Sequence, residues 1–168
     1  MMFFKNLKKK QIIYAILILI WMAVIFAFSN EPAVKSSKTS DGITEKVVKI
    51  ITKEPEKLPK KQRDSIETIV RKSAHFTLYT IGGFLMAGLV NTTNVTNKKL
   101  IIYAIVFTTI YACTDEIHQI FVEGRSCELR DVLIDGAGAT LGTMIFLFMR
   151  KIRQMVDKSK KNINNGGI

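Results

Sequence analysis

The chain has 168 residues, 48% of them hydrophobic, and a formal net charge of +11. Its length and its positive mean hydropathy predict one compact membrane domain. In a soluble protein this charge would suggest nucleic-acid binding, but here the lysines collect at predicted bilayer boundaries, so nucleic acid is not an expected partner. Cys113 lies within an apolar run and Cys127 in a short loop, so a disulfide framework is not expected.

Four apolar runs are each long enough to cross a membrane, since about twenty residues span the hydrocarbon core. The first follows a basic stretch and resembles a secretory signal, but it is longer than a signal core and contains Trp21, so we expect it to be retained. The sequence predicts an all-α integral membrane four-helix bundle at 11–149, with a basic tail at 1–10 and another at 150–168 that is disordered at its end. The predicted spans are 11–28, 73–90, 100–121 and 132–149.

The orientation follows from the basic residues at the span ends. Four spans place both termini on the same side of the membrane. The dense basic flanks of the first and last spans favour the cytoplasm for that side, because positive charge near span ends and in short loops is the best guide to orientation. The loop at 29–72 is then predicted to be external.

This predicted external loop has its own organisation. Ser29–Ser40 is polar and is expected to be irregular. A short amphipathic helix on the membrane surface is predicted next, because apolar residues recur at helical spacing among lysines. Pro55 and Pro59 end it, and a second helix is expected to run from Lys60 into the second span. The apolar residues of the amphipathic helix are Ile43, Val47, Ile50 and Ile51, and its lysines are Lys46, Lys49 and Lys53.

Six ionisable residues lie in or at the mouths of the last three spans, all towards one membrane face. An ionisable side chain at mid-depth costs about 2.5–3.5 kcal/mol on insertion scales, so such residues suggest a functional site. At about 1.5 Å per helical residue, their distances from the span ends place them at one depth on three helices. They are Arg71, His75, Asp115, Glu116, Asp131 and Asp135.

The predicted helical faces agree with this grouping. On the fourth span the acids share a stripe, within about 60° at 100° per residue, with two glycines that let another helix approach closely. These four residues are Asp131, Asp135, Gly138 and Gly142. The second span carries Arg71, His75, Leu78 and Gly82, and the third carries Asp115, His118 and Gln119 with Glu116 beside them and Arg125 in the next loop.

Three interpretations of this cluster remain open. In the first, Arg71, His75 and Arg125 only neutralise the four acids and hold the bundle together. In the second, the arginines bind the phosphate or carboxylate of a lipid headgroup or glycolipid, and the histidine near carboxylates performs acid–base chemistry. In the third, His75 and the acids hold a metal ion, although no ligand spacing specifies one.

At these residues the chain resembles the VanZ-like family of bacterial membrane proteins, named for a teicoplanin resistance factor. Each segment alone is a weak signal, but their order and spacing together are specific. One departure is Glu123, where the family often has proline before Gly-Arg, which leaves the loop less rigid. The matching segments are Phe28–Pro32, Arg71–Phe76 with Tyr79, Asp115–Gln119, Gly124–Arg125, and Asp131–Asp135 with Gly138 and Gly142.

The resemblance implies a multi-pass protein of the bacterial cytoplasmic membrane, able in some members to lower sensitivity to glycopeptide antibiotics. We predict a polar pocket that binds or acts on an anionic envelope lipid or lipid-linked glycan, with no cofactor or metal. A lipid-modifying enzyme and a non-catalytic structural or partner-binding protein are the alternatives. Candidate catalytic residues are His75, Asp115, Glu116, Asp131 and Asp135, and candidate ligand-binding residues are Arg71, Lys72, Tyr79, Gln119 and Arg125.

Overall fold

The computed structural model describes residues 9–52 and 54–165, and this part of the chain is helical throughout apart from short connections. Four of its helices are long and apolar enough to cross a membrane, which confirms the predicted all-α architecture with four spans. The helices are α1 (Lys9–Ser29), α2 (Ala33–Ile51), α3 (Lys60–Asn91), α4 (Asn97–Gln119) and α5 (Leu129–Asn165), with a 3₁₀ turn at Pro55–Lys57.

The four long helices bury small and aromatic residues between them and leave large apolar side chains on the outside. Leu19, Phe107 and Phe148 are each more than half exposed, which is the arrangement expected where lipid rather than water surrounds the bundle. The interior contains two buried clusters. One is formed by Ile18, Trp21, Ile25, Tyr79 and Ala112, and the other by Ala87, Val90, Leu100, Ala104 and Phe146.

Helices α3 and α5 form the most extensive contact in the bundle. Gly138 and Gly142 make this contact possible: a Cβ atom at Gly138 would lie 2.5 Å from the carbonyl oxygen of Phe76, and one at Gly142 would overlap that of Thr80. The predicted small-residue stripe is therefore confirmed as a site of close backbone approach. It fixes the two helices that carry most of the polar residues.

In the described structure, hydrogen bonds between a side chain and a backbone carbonyl attach the middle of helix α1 to α3 and to α4. The Trp21 indole donates to the Leu78 oxygen over 2.8 Å, and the Tyr111 hydroxyl donates to the Met22 oxygen over 2.8 Å. The Trp21 and Tyr111 rings also pack together, with centroids 5.1 Å apart. Each aromatic residue thus buries a large ring while its polar atom keeps a partner.

The prediction that Ser29–Ser40 is irregular was wrong, because α2 already begins at Ala33. Pro32 stands immediately before the helix, where the fixed φ angle of proline does not interfere with helix formation. The predicted amphipathic helix is present within α2, with Lys49 and Glu45 paired over 2.6 Å. Lys53 lies outside the described residues, and the placement of this helix on an external membrane surface stays a prediction.

The face of α2 that packs inward is not the predicted isoleucine stripe. Thr44 and Val48 are buried where α2 packs against α3, whereas Ile43 is 57% and Ile50 is 85% exposed. Helical periodicity predicts that α2 has an apolar stripe, but it does not predict which side of the helix packs against α3.

The helix ends do not coincide with the predicted span ends, and the ends of α4 and α5 show this most clearly. Helix α4 ends at Gln119, two residues before the predicted limit, and α5 continues to Asn165, well beyond the predicted span end at residue 149. The extension after Met149 is rich in lysine and arginine, which form helix readily, and the next glycine is Gly166. Apolar runs predict where a helix crosses the membrane rather than where it ends. The predicted disordered end, like most of the tail at 1–10, lies outside the described residues.

Candidate functional site

A polar cavity of about 80 Å³ lies at the end of the bundle where α4 ends and α5 begins. Helix α3 contributes Arg71, Lys72 and His75 to the cavity lining, and helix α5 contributes Asp131 and Asp135. Residues that were predicted to lie at one depth in the membrane therefore line the same cavity. The full lining consists of Arg71, Lys72, His75, Gln119, Gly124, Arg125, Ser126, Glu128, Asp131, Ile134 and Asp135.

Lys72 neutralises the acids at the rim of the cavity. Its ammonium binds the Asp131 carboxylate and lies 3.1 Å from Glu128 Oε2. The Lys72 side chain is only 18% exposed, so its charge is shielded from water and pairs with acids from α5 and the preceding loop. One interpretation of the sequence had Arg71, His75 and Arg125 neutralise the four acids, but the partner of Asp131 in the structure is the neighbouring Lys72.

Two guanidinium groups at the cavity therefore have no carboxylate partner among the described residues. Arg125 donates only to backbone carbonyls, to Glu31 O over 3.3 Å and to Phe28 O over 3.4 Å. Burial lowers the pKa of Arg125, and the positive charge of nearby Arg71 lowers it further. Within residues 9–52 and 54–165, the structure shows neither a hydrogen bond nor an ion pair for the Arg71 side chain. Two cations held close together favour an anion between them.

The floor of the cavity contains a buried carboxyl group without a hydrogen-bond donor. Asp135 is 1% exposed, and neither of its carboxyl oxygens has a hydrogen-bond partner among the described residues. His75 lies beside it, with Nδ1 3.9 Å from Asp135 Oδ2. The Tyr79 hydroxyl, one helical turn below His75, is also buried and unpartnered in the described structure. Buried polar groups are rarely unsatisfied, so this floor calls for an additional donor.

Asp115, Glu116 and Gln119 form a hydrogen-bonded wall behind the cavity. Gln119 donates to Asp115 over 3.3 Å and to the Ser29 hydroxyl over 3.1 Å, which ties the end of α4 to the end of α1. Glu116 is 2% exposed and accepts a hydrogen bond of 2.9 Å from the backbone nitrogen of Glu128. Of the three, only Gln119 lines the cavity, so Asp115 and Glu116 hold the surrounding segments in place.

His118 points away from the site despite its place in the same sequence motif. Its ring stacks on Phe26 of α1 with centroids 4.8 Å apart, and it does not line the cavity. The sequence predicted Arg125 from the loop after α4, but it did not predict that Ser126 and Glu128 of the same loop also line the cavity. The available signal was Gly124, whose φ of 73° shows the left-handed turn that brings this loop back over the cavity.

The described residues give no support to a metal site. Within residues 9–52 and 54–165, no group of three or more His, Cys, Asp or Glu side chains is arranged to hold a metal ion. His75 and Asp135 are near one another, but Asp131 is bound to Lys72 and Glu116 is bound to the Glu128 backbone.

Four membrane-crossing helices with a polar cavity at one end define a multi-pass membrane protein. The family model described as VanZ/LLP1 matches residues 14–150, and the chain belongs to this family. The match covers α2, α3 and α4, most of α1 and the membrane part of α5, and it confirms the resemblance seen in the sequence motifs. Comparison with curated proteins and with solved structures found no match.

Proposed function

We propose that this VanZ/LLP1 protein binds an anionic lipid, or a lipid-linked glycan, of the bacterial envelope through the cavity at the ends of α3, α4 and α5. The observation that supports this most directly is the pair of arginines at the mouth. Arg71 and Arg125 lie close enough for Arg71 to lower the pKa of Arg125, yet neither forms an ion pair with a carboxylate among the described residues.

The chemistry of these two side chains favours phosphate. A guanidinium presents several N–H donors in one plane and binds phosphate or carboxylate in a bidentate manner. Lys72 already pairs with Asp131 and Glu128, so these two acids are not available to the arginines. A bound headgroup phosphate would lower the repulsion between the two guanidiniums, whereas a neutral ligand would leave it unchanged.

The side of the membrane to which the cavity opens determines what lipid binding would change. With both termini in the cytoplasm, the cavity opens to the outer leaflet of the cytoplasmic membrane, where headgroups of envelope lipids and lipid-linked glycans are present. Binding there would change how these molecules are displayed at the cell surface. It would thereby modulate sensitivity to glycopeptide antibiotics that act at the same surface.

The test is to purify the full chain with its surrounding lipid and identify the co-purifying lipids by mass spectrometry. Arg71→Ala should lose a phosphate-bearing lipid that the wild type enriches. Arg130→Ala is the matched control, because Arg130 is exposed at the start of α5, beside Asp131, and does not line the cavity. The proposal fails if the wild type enriches no phosphate-bearing lipid, or if both variants lose it equally.

A second candidate function is modification of the bound lipid, and the contact between His75 and Asp135 favours it. A histidine 3.9 Å from a buried carboxyl group has the components of an acid–base pair, and contacts of this kind shorten when substrate binds. His75→Ala should then abolish the chemical change while lipid co-purification and protein level stay at the wild-type value. Retention of a modified lipid in the variant would exclude catalysis by His75.

A further inference from the structure

The charges at the cavity are distributed unevenly between its rim and its floor. The rim carries two cations without carboxylate partners, Arg71 and Arg125. The floor carries Asp135, which is 1% exposed and has no hydrogen-bond donor in the described structure. A ligand with only a phosphate would satisfy the rim and leave the floor as it is.

The protein's own cations do not satisfy Asp135. Lys72 lines the same cavity but is held by Asp131 and Glu128. His75 Nδ1 is 3.9 Å from the carboxyl group, beyond hydrogen-bond distance. Buried carboxyl groups are usually hydrogen-bonded, so Asp135 is a site where water or a ligand can supply a donor. The cavity of about 80 Å³ has room for a few waters or for one short polar arm.

The spacing between rim and floor is short. Arg71 and His75 are four residues apart on α3, and Asp131 and Asp135 are four residues apart on α5. At about 1.5 Å per residue, the floor lies about 6 Å below the rim along the helix axes. A two-carbon arm between a phosphate and an amine covers a distance of this order. The same spacing excludes a long flexible linker, which would have to fold back within the cavity.

We propose that the ligand carries a phosphodiester and, on a short arm, a primary ammonium group, the chemistry of phosphoethanolamine. The phosphate lies between Arg71 and Arg125, and the ammonium enters the cavity and donates to Asp135. This deepens the proposed function and rests on it, because the same arginines hold the phosphate. The chemistry occurs in the headgroup of an aminophospholipid and in soluble glycerophosphoethanolamine, and the experiment below separates these sources.

The test compares three lipids with identical acyl chains for binding to the full-length protein in detergent, by native mass spectrometry. Phosphatidylethanolamine has both groups, N-acetyl phosphatidylethanolamine has the phosphate but a blocked amine, and phosphatidylglycerol has the phosphate and no amine. We expect the first to bind about tenfold or more tightly than the other two, the size of a hydrogen bond between charged groups.

Two variants test whether Asp135, at the floor of the cavity, causes the preference for a lipid with a free amine. Asp135→Asn has the same shape and should remove the preference for the free amine while keeping the binding of phosphatidylglycerol. Asp157→Asn is the control, since Asp157 is an exposed acid on the same helix, distant from the cavity, and should behave as the wild type. The comparison of lipids in the wild type does not depend on either variant being well folded.

The outcomes separate the inference from the function on which it rests. Equal binding of the three lipids overturns the amine site and leaves phosphate binding intact. Binding of none of them above diacylglycerol overturns the proposed function as well. If soluble glycerophosphoethanolamine competes with the lipid at comparable concentration, the site recognises the free group, and if it does not compete, the site recognises the lipid in its membrane.

Discussion

The ammonium of Lys72 binds the carboxylate of Asp131 across the contact between α3 and α5. This ion pair explains how a cavity rich in acids can leave two arginines free for an anion. It also connects the stability of the bundle with the electrostatics of the site, because Lys72 is one residue from Arg71 on the same helix.

Lys72→Ala should therefore weaken both the fold and lipid binding. The variant leaves Asp131 and Glu128 without their cation, and because the pair is only partly buried we expect a loss of about 1–2 kcal/mol, between the values for surface and buried pairs. Thermal unfolding in detergent measures this loss. The two released acids should also compete for Arg71 and Arg125 and lower the amount of co-purifying anionic lipid.

Lys61→Ala is the control for this prediction, because Lys61 is exposed near the start of α3 and forms no ion pair in the described structure. It should leave both the unfolding temperature and the lipid unchanged. A purely structural role for the polar network predicts a different pattern, in which the reversed pair Arg71→Asp with Asp131→Arg restores function. We expect no restoration, since Asp131 pairs with Lys72 rather than with Arg71.

The approach of α3 to α5 depends on the absence of a side chain at Gly142. A methyl group there would overlap the backbone oxygen of Thr80, which cannot move without displacing the helix. Gly142→Ala should destabilise the protein by about 1–3 kcal/mol, as overpacking does elsewhere. The measurement is the unfolding temperature in detergent, together with elution volume on gel filtration.

Gly136→Ala is the matched substitution on the same helix. Its added methyl group would lie 3.5 Å from the Thr109 hydroxyl, an ordinary contact. It should be tolerated or slightly stabilising, because alanine favours helix over glycine by about 1 kcal/mol. Equal destabilisation by the two substitutions would mean that helix packing at Gly142 is not the reason for its effect.

The sequence predicted the depth of the polar residues better than their partners. Apolar runs and the helical rise sufficed to place Arg71, His75 and Asp135 around one cavity, because both depend only on local geometry. Whether Arg71 or Lys72 meets Asp131 depends on how α3 is rotated, and neighbouring residues differ by 100°. That rotation is set by contacts such as Gly142 with Thr80, which lie far along the chain from each other.

The same limit applies to the acidic motif of α4. The sequence indicated Asp115 and Glu116 as site residues, but the hydrogen bond from the Glu128 backbone to Glu116 depends on the path of the loop at 120–128. The direction of His118 likewise depends on Phe26, which belongs to a helix separated from it by about ninety residues of chain. Residue types identify a polar group, and the tertiary contacts decide whether it lines the cavity or supports it.

At the opposite end of the bundle, Arg150 joins three helices. Its guanidinium donates to the side-chain oxygens of Asn91 at the end of α3, over 2.6 Å, and of Asn97 at the start of α4, over 2.5 Å. Arg150→Ala should lower the stability by about 1–3 kcal/mol, the range for hydrogen bonds to charged groups. Arg150→Lys should not restore it, because one ammonium does not reproduce the fork of the guanidinium.

The unfolding temperature in detergent again provides the measurement, and Arg153→Ala provides the control. Arg153 is an exposed residue on the same helix without a hydrogen bond or ion pair in the described structure. Its loss should have no effect. If Arg150→Lys proved as stable as the wild type, a single positive charge would be sufficient and the two-point contact would be irrelevant.

Cys127 reports which side of the membrane the cavity faces. It is exposed in the loop between α4 and α5, beside Ser126 and Glu128 of the cavity lining, and it is a free thiol. With the termini in the cytoplasm, a membrane-impermeant maleimide should label Cys127 in intact cells. Cys113 is also free but lies within the membrane-crossing helix α4, which a membrane-impermeant reagent does not enter.

Cys127→Ser is the control, and its labelling should fall to the background of intact cells. A second reporter comes from Ser126→Cys in the Cys127→Ser protein, which should restore the signal because it lies on the same loop. Labelling of Cys127 only after the cells are opened would place the cavity in the cytoplasm. The ligand would then have to be sought among inner-leaflet lipids, although the arginines and Asp135 would act on it in the same way.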